Sequence, residues 1–205
     1  MFVWGMNQQG GLGLNQNGAP NGLDISSPTQ LPGTNWSNVD GGLYHMIATK
    51  TNGTLWSWGL NSSGELGHNN KIYYSSPVQI GSSTDWATGE NKIYISGHAK
   101  AIKTDGTLWS WGYNNVGSVG SNNRTEYSSP IQIPGTNWAT VGGNSSSHAV
   151  ATKTDGTAWS WGHNENGTLG LNQASSLNVS SPTQIPGTTW AKCGGTYNTI
   201  WLMTS

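Results

Sequence analysis

Apolar and polar positions alternate along Ala158-Trp159-Ser160-Trp161, and Gly162 ends the run. A period of two is that of a strand, and it puts Trp159 and Trp161 on one face and Ser160 on the other. The preceding segment, 149–153, is equally β-prone. Between them lies Thr154-Asp155-Gly156-Thr157, which suits a tight hairpin because Asp and Gly tolerate positive φ. Further on, Ser181-Pro182-Thr183-Gln184-Ile185-Pro186-Gly187 is a short extended piece bounded by prolines. Proline lacks the ladder donor, so this piece belongs at a sheet edge or strand end. No segment carries a 3.6-residue apolar period long enough for a helix.

The whole pattern recurs. KTDGTLWSWGYNNVG at 103–117 returns as KTNGTLWSWGLNSSG at 50–64 and KTDGTAWSWGHNENG at 153–167, and its second half opens the chain as FVWGMNQQG at 2–10. The Trp-Gly landmark falls at Trp4, Trp58, Trp111 and Trp161. The Ser-Pro landmark falls at Pro28, Pro77, Pro130 and Pro182, and the next lone tryptophan at Trp36, Trp86, Trp138 and Trp190. All three agree on four copies with a period of about 51 residues. The units run about 1–54, 55–107, 108–157 and 158–205, within a single domain, 1–205. Repeats of this length with some four short strands each predict an all-β fold, a β-propeller of four four-stranded blades.

The motifs TDGTLWSWGYNNVGSVG (104–120), YSSPIQIPGTNWATVGG (127–143) and HAVATKTDGT (148–157) resemble the regulator of chromosome condensation repeat family, and the resemblance covers essentially the whole chain. It implies four-stranded blades around an axis. Rings of that family usually have seven blades, against four units here.

Aligned on the Gly-Gly pair, Thr204 takes the position of Thr152 and Met1 that of Ala158. In a complete unit the turn 154–157 lies between those positions. The expectation is a cycle of repeats opened at one hairpin turn, in which the N- and C-terminal strands pair and complete a blade. Closure within one chain gives a four-bladed ring, favoured by the high effective concentration of two ends of the same chain. Exchange between two chains gives an eight-bladed ring, a homo-oligomer. An open arc completed by another protein is the third geometry.

Composition narrows the function. Charged residues make up 8% of the chain and the net charge is -1. That excludes a binder driven by phosphate contacts, so no nucleic-acid partner is expected. There is no polybasic membrane signal and no apolar run near the roughly 20 residues of a membrane span. The first residues lack the basic-then-apolar pattern of a signal peptide. The 12 tryptophans argue for a packed core in a chain otherwise rich in Gly, Asn, Ser and Thr. With one cysteine, Cys193, no intrachain disulfide forms.

Candidate chemistry is sparse. His45, His98 and His148 share one repeat position, with Ile200 aligned to them in the fourth unit, and read as structural histidines bonded to a turn. A metal ring would need converging imidazoles with defined partners. The nine acids are scattered, no GxSxG elbow is present, and Gly10-Gly11-Leu12-Gly13 is the repeat's own turn. Catalytic residues, metal ligands and cofactors are therefore expected to be none. Cys193 reads as a buried, inert thiol. Tryptophan stacking on sugars is possible chemistry, but 11 of the 12 sit at repeat positions that packing explains, Trp201 being extra.

Individuality lies in the loops between Trp-Gly and Ser-Pro, where repeat proteins place their function. The first loop is longest, 15–24. The second carries His68, Lys71, Tyr73 and Tyr74, and the third carries Arg124, Glu126 and Tyr127. These seven are the candidate binding residues. The expected function is a non-enzymatic structural or interaction protein. A charge-poor, Asn/Ser/Thr-rich surface without an export signal suits a virus or phage particle, with capsid or tail proteins as partners. The alternatives are a glycan-binding module using Tyr73, Tyr74 and Tyr127, and a protein-binding inhibitor or exchange factor, a role the family resemblance allows.

Overall fold

The computed structural model describes residues 1–16, 23–143, 147–173, 177–196 and 199–204. Strands β1 (Phe2–Gly5) and β2 (Ile25–Gln30) form a two-stranded sheet. Three complete four-stranded blades follow. The first contains β3 (Trp36–Gly41), β4 (His45–Lys50), β5 (Leu55–Gly59) and β6 (Tyr74–Gln79). The second contains β7 (Ile93–Ile95), β8 (His98–Ile102), β9 (Leu108–Gly112) and β10 (Tyr127–Ile133). The third contains β11 (Trp138–Gly143), β12 (His148–Lys153), β13 (Ala158–Gly162) and β14 (Val179–Ile185). The last pair, β15 (Trp190–Thr196) and β16 (Thr199–Thr204), is again a two-stranded sheet. All pairings are antiparallel between sequence neighbours. The only helical pieces among the described residues are 3₁₀ turns at Gln8–Gly10 and Glu165–Gly167.

The hairpins form where expected. In the third blade, Asp155 Oδ1 accepts the Thr157 amide at 3.0 Å and hydroxyl at 2.7 Å, and Thr157 Oγ1 in turn accepts Trp159 Nε1 at 3.0 Å. Asp105–Thr107–Trp109 and Asn52–Thr54–Trp56 repeat the same chain of bonds. The proline-bounded strand β14 lies at the outer edge, with its register broken beside Gly162.

Both faces of each third strand are buried. Ser57, Ser110 and Ser160 are 0% exposed, and so are Trp58, Trp111 and Trp161 on the other face. The blades are thus sandwiched, and the core is divided into layers between them. Ile95, Ala101 and Trp111 belong to the layer shared by the first and second blades, and Val119, Val141 and Trp161 to the next. Cys193 is buried beside Val150 and Ile185 in the last layer, and burial pushes its thiol up to about 11, an inert state.

The predicted pairing of the two terminal strands does not form. Among the described residues β1 pairs only with β2 and β16 only with β15, so the chain is an open arc: three blades flanked by two half-blades. Closing four blades needs roughly a quarter turn at each step. The alignment of the last strand also shifts by one. Thr204 faces Trp190 as Lys153 faces Trp138, so Thr204 occupies the lysine position and Met203 that of Thr152. Likewise Thr199, rather than Ile200, matches His148. The cause is one residue fewer between Gly195 and its partner Ile200 than between Gly143 and Ala149.

Candidate functional site: the loop face and the inter-blade clefts

Strand direction separates the connections into two ends. The loops after the first and third strands of each blade lie at one end, and the Thr-Asp-Gly-Thr turns and Pro-Gly segments lie at the other. Exposed large apolar residues follow this division. Met6, Leu23, Leu43, Ile72, Tyr73 and Leu177 are all in connections at the first end, the loop face. Among the described residues no connection at the opposite end carries one; Phe2, Trp4, Val39, Trp201 and Met203, also exposed, are on strands.

The candidate binding residues belong to this face. Lys71 Nζ meets Glu126 Oε2 at 3.0 Å and so joins the loop of the first blade to that of the second. Tyr73 is open to solvent. Tyr74 and Tyr127 pack against the core layers, and their hydroxyls accept Asn70 Nδ2 at 3.1 Å and Asn123 Nδ2 at 2.9 Å. Arg124 is exposed and belongs to no ion pair among the described residues. Part of the long first loop, residues 17–22, lies outside the described residues.

His68 is half-buried, with its ring edge-on to Tyr74 at 5.0 Å and Nε2 3.0 Å from Ser57 Oγ. This is not a nucleophile–base pair. Ser57 Oγ donates to the Leu66 carbonyl at 2.7 Å, as Ser160 does to Leu169, so its proton is committed and His68 must be the donor. Burial lowers the pKa of His68.

Beneath the loop face, His45, His98 and His148 are buried in one neighbourhood with Lys100 and Tyr94. His45 meets the backbone of Ser96, in the turn between β7 and β8, as expected of a histidine bonded to a turn, though with poor geometry, whereas no hydrogen-bond partner among the described residues reaches either ring nitrogen of His98. Tyr94 lies 5.6 Å from the His98 ring, and Lys100 Nζ lies 5.2 Å from the Tyr94 ring and 5.6 Å from that of Trp161. Burial lowers the pKa of His45 and of His148 to about 4 and pushes His98 well below its ordinary value, with Lys100 and the other two histidines adding to the last. Lys100 is driven well down by burial alone. His45 and His148 are thereby neutral at pH 7. Among the described residues no group of three or more His, Cys, Asp or Glu is arranged to hold a metal ion.

A cleft of about 460 Å³ runs along the outer edge between the first and second blades, lined by His68, Gln79, Ser83, Trp86, Lys103 and Trp109. Lys103 Nζ lies 5.0 Å from both indole rings and 3.1 Å from Asp85. The same lysine-over-two-indoles arrangement recurs at Lys50 and at Lys153, so it braces the blade rather than marking a site.

Comparison with known proteins agrees with this architecture. The profile of the regulator of chromosome condensation (RCC1) repeat matches residues 52–91, 105–149 and 155–201, and a second profile of the same repeat matches 36–65. The ultraviolet-B receptor UVR8 of Arabidopsis thaliana is 29% identical over 136 residues, which is 65% of this chain and 30% of that protein. Among solved structures, Prp20p of Saccharomyces cerevisiae, described together with its binding to Gsp1p and histones, superposes with a TM-score of 0.75 at 20% identity over 97% of this chain and 50% of its own. Human WBSCR16 superposes with a TM-score of 0.78 at 19% identity over 99% of this chain and 53% of its own. The chain therefore spans under a third of the curated relative and about half of each structure.

Proposed function

The chain belongs to the regulator of chromosome condensation repeat family, and from that premise we propose that it is a non-enzymatic interaction domain that binds other proteins through its loop face. The observation that carries this is that the exposed large apolar side chains in the connections, Leu43, Ile72, Tyr73 and Leu177 among them, all lie at one end of the strands. Solvent-facing apolar groups gathered at one end suit a protein partner better than water. Prp20p, similar in fold, is described with its binding to Gsp1p and histones.

The finer part of the proposal is a place on the surface of a virus or phage particle, facing capsid or tail proteins. It rests on a chain with 8% charged residues and abundant Asn, Ser and Thr. Glycan binding is the second reading, supported by the open ring of Tyr73.

The test is comparative retention of proteins on immobilised wild type, on Ile72→Asp with Leu43→Asp, and on Asp105→Asn at the opposite end. A protein kept by the first and last but lost from the loop-face variant supports the reading. Equal retention by all three, or none, ends it. Mass spectrometry of purified particles decides the particle placement, and a glycan array decides the second reading.

A further inference from the structure

The two half-blades are the two halves of one blade. β15 and β16 correspond to the inner strands β11 and β12 of a complete blade, and β1 and β2 to its outer strands β13 and β14. In all three complete blades the second and third strands pair in the same register: His148 faces Gly162, Ala149 faces Trp161 and Ala151 faces Trp159. Carried over, Thr199 faces Gly5, Ile200 faces Trp4 and Leu202 faces Phe2.

Every neighbouring pair of blades is locked by the same three devices, and the end of the arc holds one side of each. The indole Nε1 of Trp58, Trp111 and Trp161 donates to the carbonyl of Gly11, Glu65 and Ser118 in the preceding unit, at 3.0, 2.7 and 2.9 Å. The next carbonyl in that series is Thr168, and the next indole is Trp4. The backbone N–H of Asn15, Asn69 and Asn122 donates to the carbonyl of Ser75, Ser128 and Ser180. Next in that series are Asn172, with the same positive φ, and Ser26. The third device is close approach. A Cβ on Gly10, Gly64 or Gly117 would lie 2.6 Å from the next blade's serine Cα, and one on Gly13, Gly67 or Gly120 would meet a tryptophan Nε1 within 2.8 Å. The equivalent Gly167 meets nothing within 4 Å, and Gly170 meets only Ile185 at 3.9 Å. These glycines keep the shape that a neighbouring blade requires. Beside them is a cleft of about 450 Å³ lined by Leu169, Ile185, Ile200 and Leu202, apolar enough for an indole.

The side chains due to fill this junction are exposed on the opposite edge. Trp4 and Phe2 are each 59% exposed, whereas Trp58, Trp111 and Trp161 are 0% exposed at the position of Trp4. Within one chain these surfaces are held apart at the two ends of an arc that superposes on half of larger propellers. We propose that a second copy of this chain completes the ring. The β1–β2 half-blade of each protomer adds to the β15–β16 half-blade of the other, forming an eight-bladed propeller with two identical junctions and a two-fold axis. A two-fold closed pair covers both of the edges at which β1 and β16 lack a neighbour. Eight blades need a step of roughly 45°, half of what four require.

The test is the native mass of the 205-residue chain at micromolar concentration by light scattering or native mass spectrometry. The expected result is twice the 21.7 kDa chain mass. A mass of one chain overturns the proposal, and so does a polydisperse series, which would mean open head-to-tail growth. Register is read by mixing two variants in a Cys193→Ala background, one with Phe2→Cys and one with Leu202→Cys. A disulfide between the two chains, formed only in the mixture, is expected. A dimer without it overturns the assignment of the surface. Trp4→Glu is expected to weaken the dimer by at least about 100-fold with the far-ultraviolet spectrum kept, and an unchanged mass counts against the junction.

Discussion

Trp161 and Trp4 stand at the same place in their repeats and meet opposite surroundings. Trp161 is 0% exposed, wedged between two blades, with its indole N–H bonded to the Ser118 carbonyl. Trp4 is 59% exposed on a strand with one neighbour. The same contrast separates Gly117, pressed against Ser180, from Gly167, which presses against nothing. The repeat writes the same residues into complete and half-complete blades. A blade alone does not bury them; the next blade does, as expected for architectures whose core lies between neighbouring repeats. The half-blades therefore show what each repeat contributes before its partner arrives.

The largest expected effect breaks this comparison most directly. Trp161→Ala should cost about 3–5 kcal/mol, because it opens a cavity between blades and strands the Ser118 carbonyl. Trp4→Ala should cost less than about 1 kcal/mol when the chain is dilute enough to be alone, since little of it is buried there. Urea denaturation at low concentration measures both, and equal losses would show that the half-blade is already a complete unit of packing.

Acid should separate the regions next. Complete blades carry His45, His98 and His148, and the last half-blade has Thr199 at that position. Burial holds His45 and His148 at about 4, below their ordinary 6.5, so the unfolded chain binds more protons than the native one between those values. Stability is full above pH 6.5 and falls as the pH drops toward 4, by about 3 kcal/mol for a histidine such as His45. Asp40 and Glu65, raised by burial, act in the opposite sense in the lower part of that window and blunt the fall. Thermal unfolding against pH, with His45→Asn as control, reads the effect; a flat profile from 6.5 to 4.5 would remove it.

A smaller effect tests the complete blades against one another. Lys100 sits where the sister blades have Ile47 and Val150, fully buried and with no hydrogen-bond partner among the described residues. Lys100→Ile should stabilise the chain by about 1–3 kcal/mol, because a buried amine without an acid is a net loss. A destabilised variant would mean that the lysine holds the histidine cluster together.

Much of this was legible in the sequence because the repeat is written in large, rare residues. Tryptophan, glycine and proline recur where packing, positive φ and edge position demand them, and they gave the period, the hairpins and the blade count. Lys100 carries a charge in a column that otherwise holds Ile47 and Val150, but its burial comes from the neighbouring blades and is not part of the repeat's signal. Ring closure was not legible. Pairing of the terminal strands depends on how each blade is set against the next, which no spacing records. The one-residue shift at Thr204 escaped for a similar reason: a shorter loop after Gly195 is invisible until strands pair. Lys71, Tyr73 and Glu126 lie in the loops that the repeat pattern assigns to them, but the pattern does not show that Tyr74 and Tyr127 turn inward, because both follow the same loop pattern as exposed residues.

The smallest effect concerns the one candidate contact that joins two blades at the loop face. Lys71 and Glu126 pair at 3.0 Å with side chains 55% and 36% exposed. Water competes for both charges and the two long side chains must be ordered, so a double-mutant cycle with Lys71→Ala and Glu126→Ala should give a coupling of about 0.2–1 kcal/mol, reduced further by raising the salt to 1 M. The pair thus hardly stabilises the arc. Its value to the molecule, if the loop face binds protein, is to set the spacing of Ile72 and Tyr73 relative to the next blade. Lys71→Ala should then weaken partner retention several-fold while leaving the unfolding midpoint within about 0.5 kcal/mol of wild type. Loss of both together would make the pair a structural strut like Lys103 on its two indoles, and would move the binding surface away from these loops.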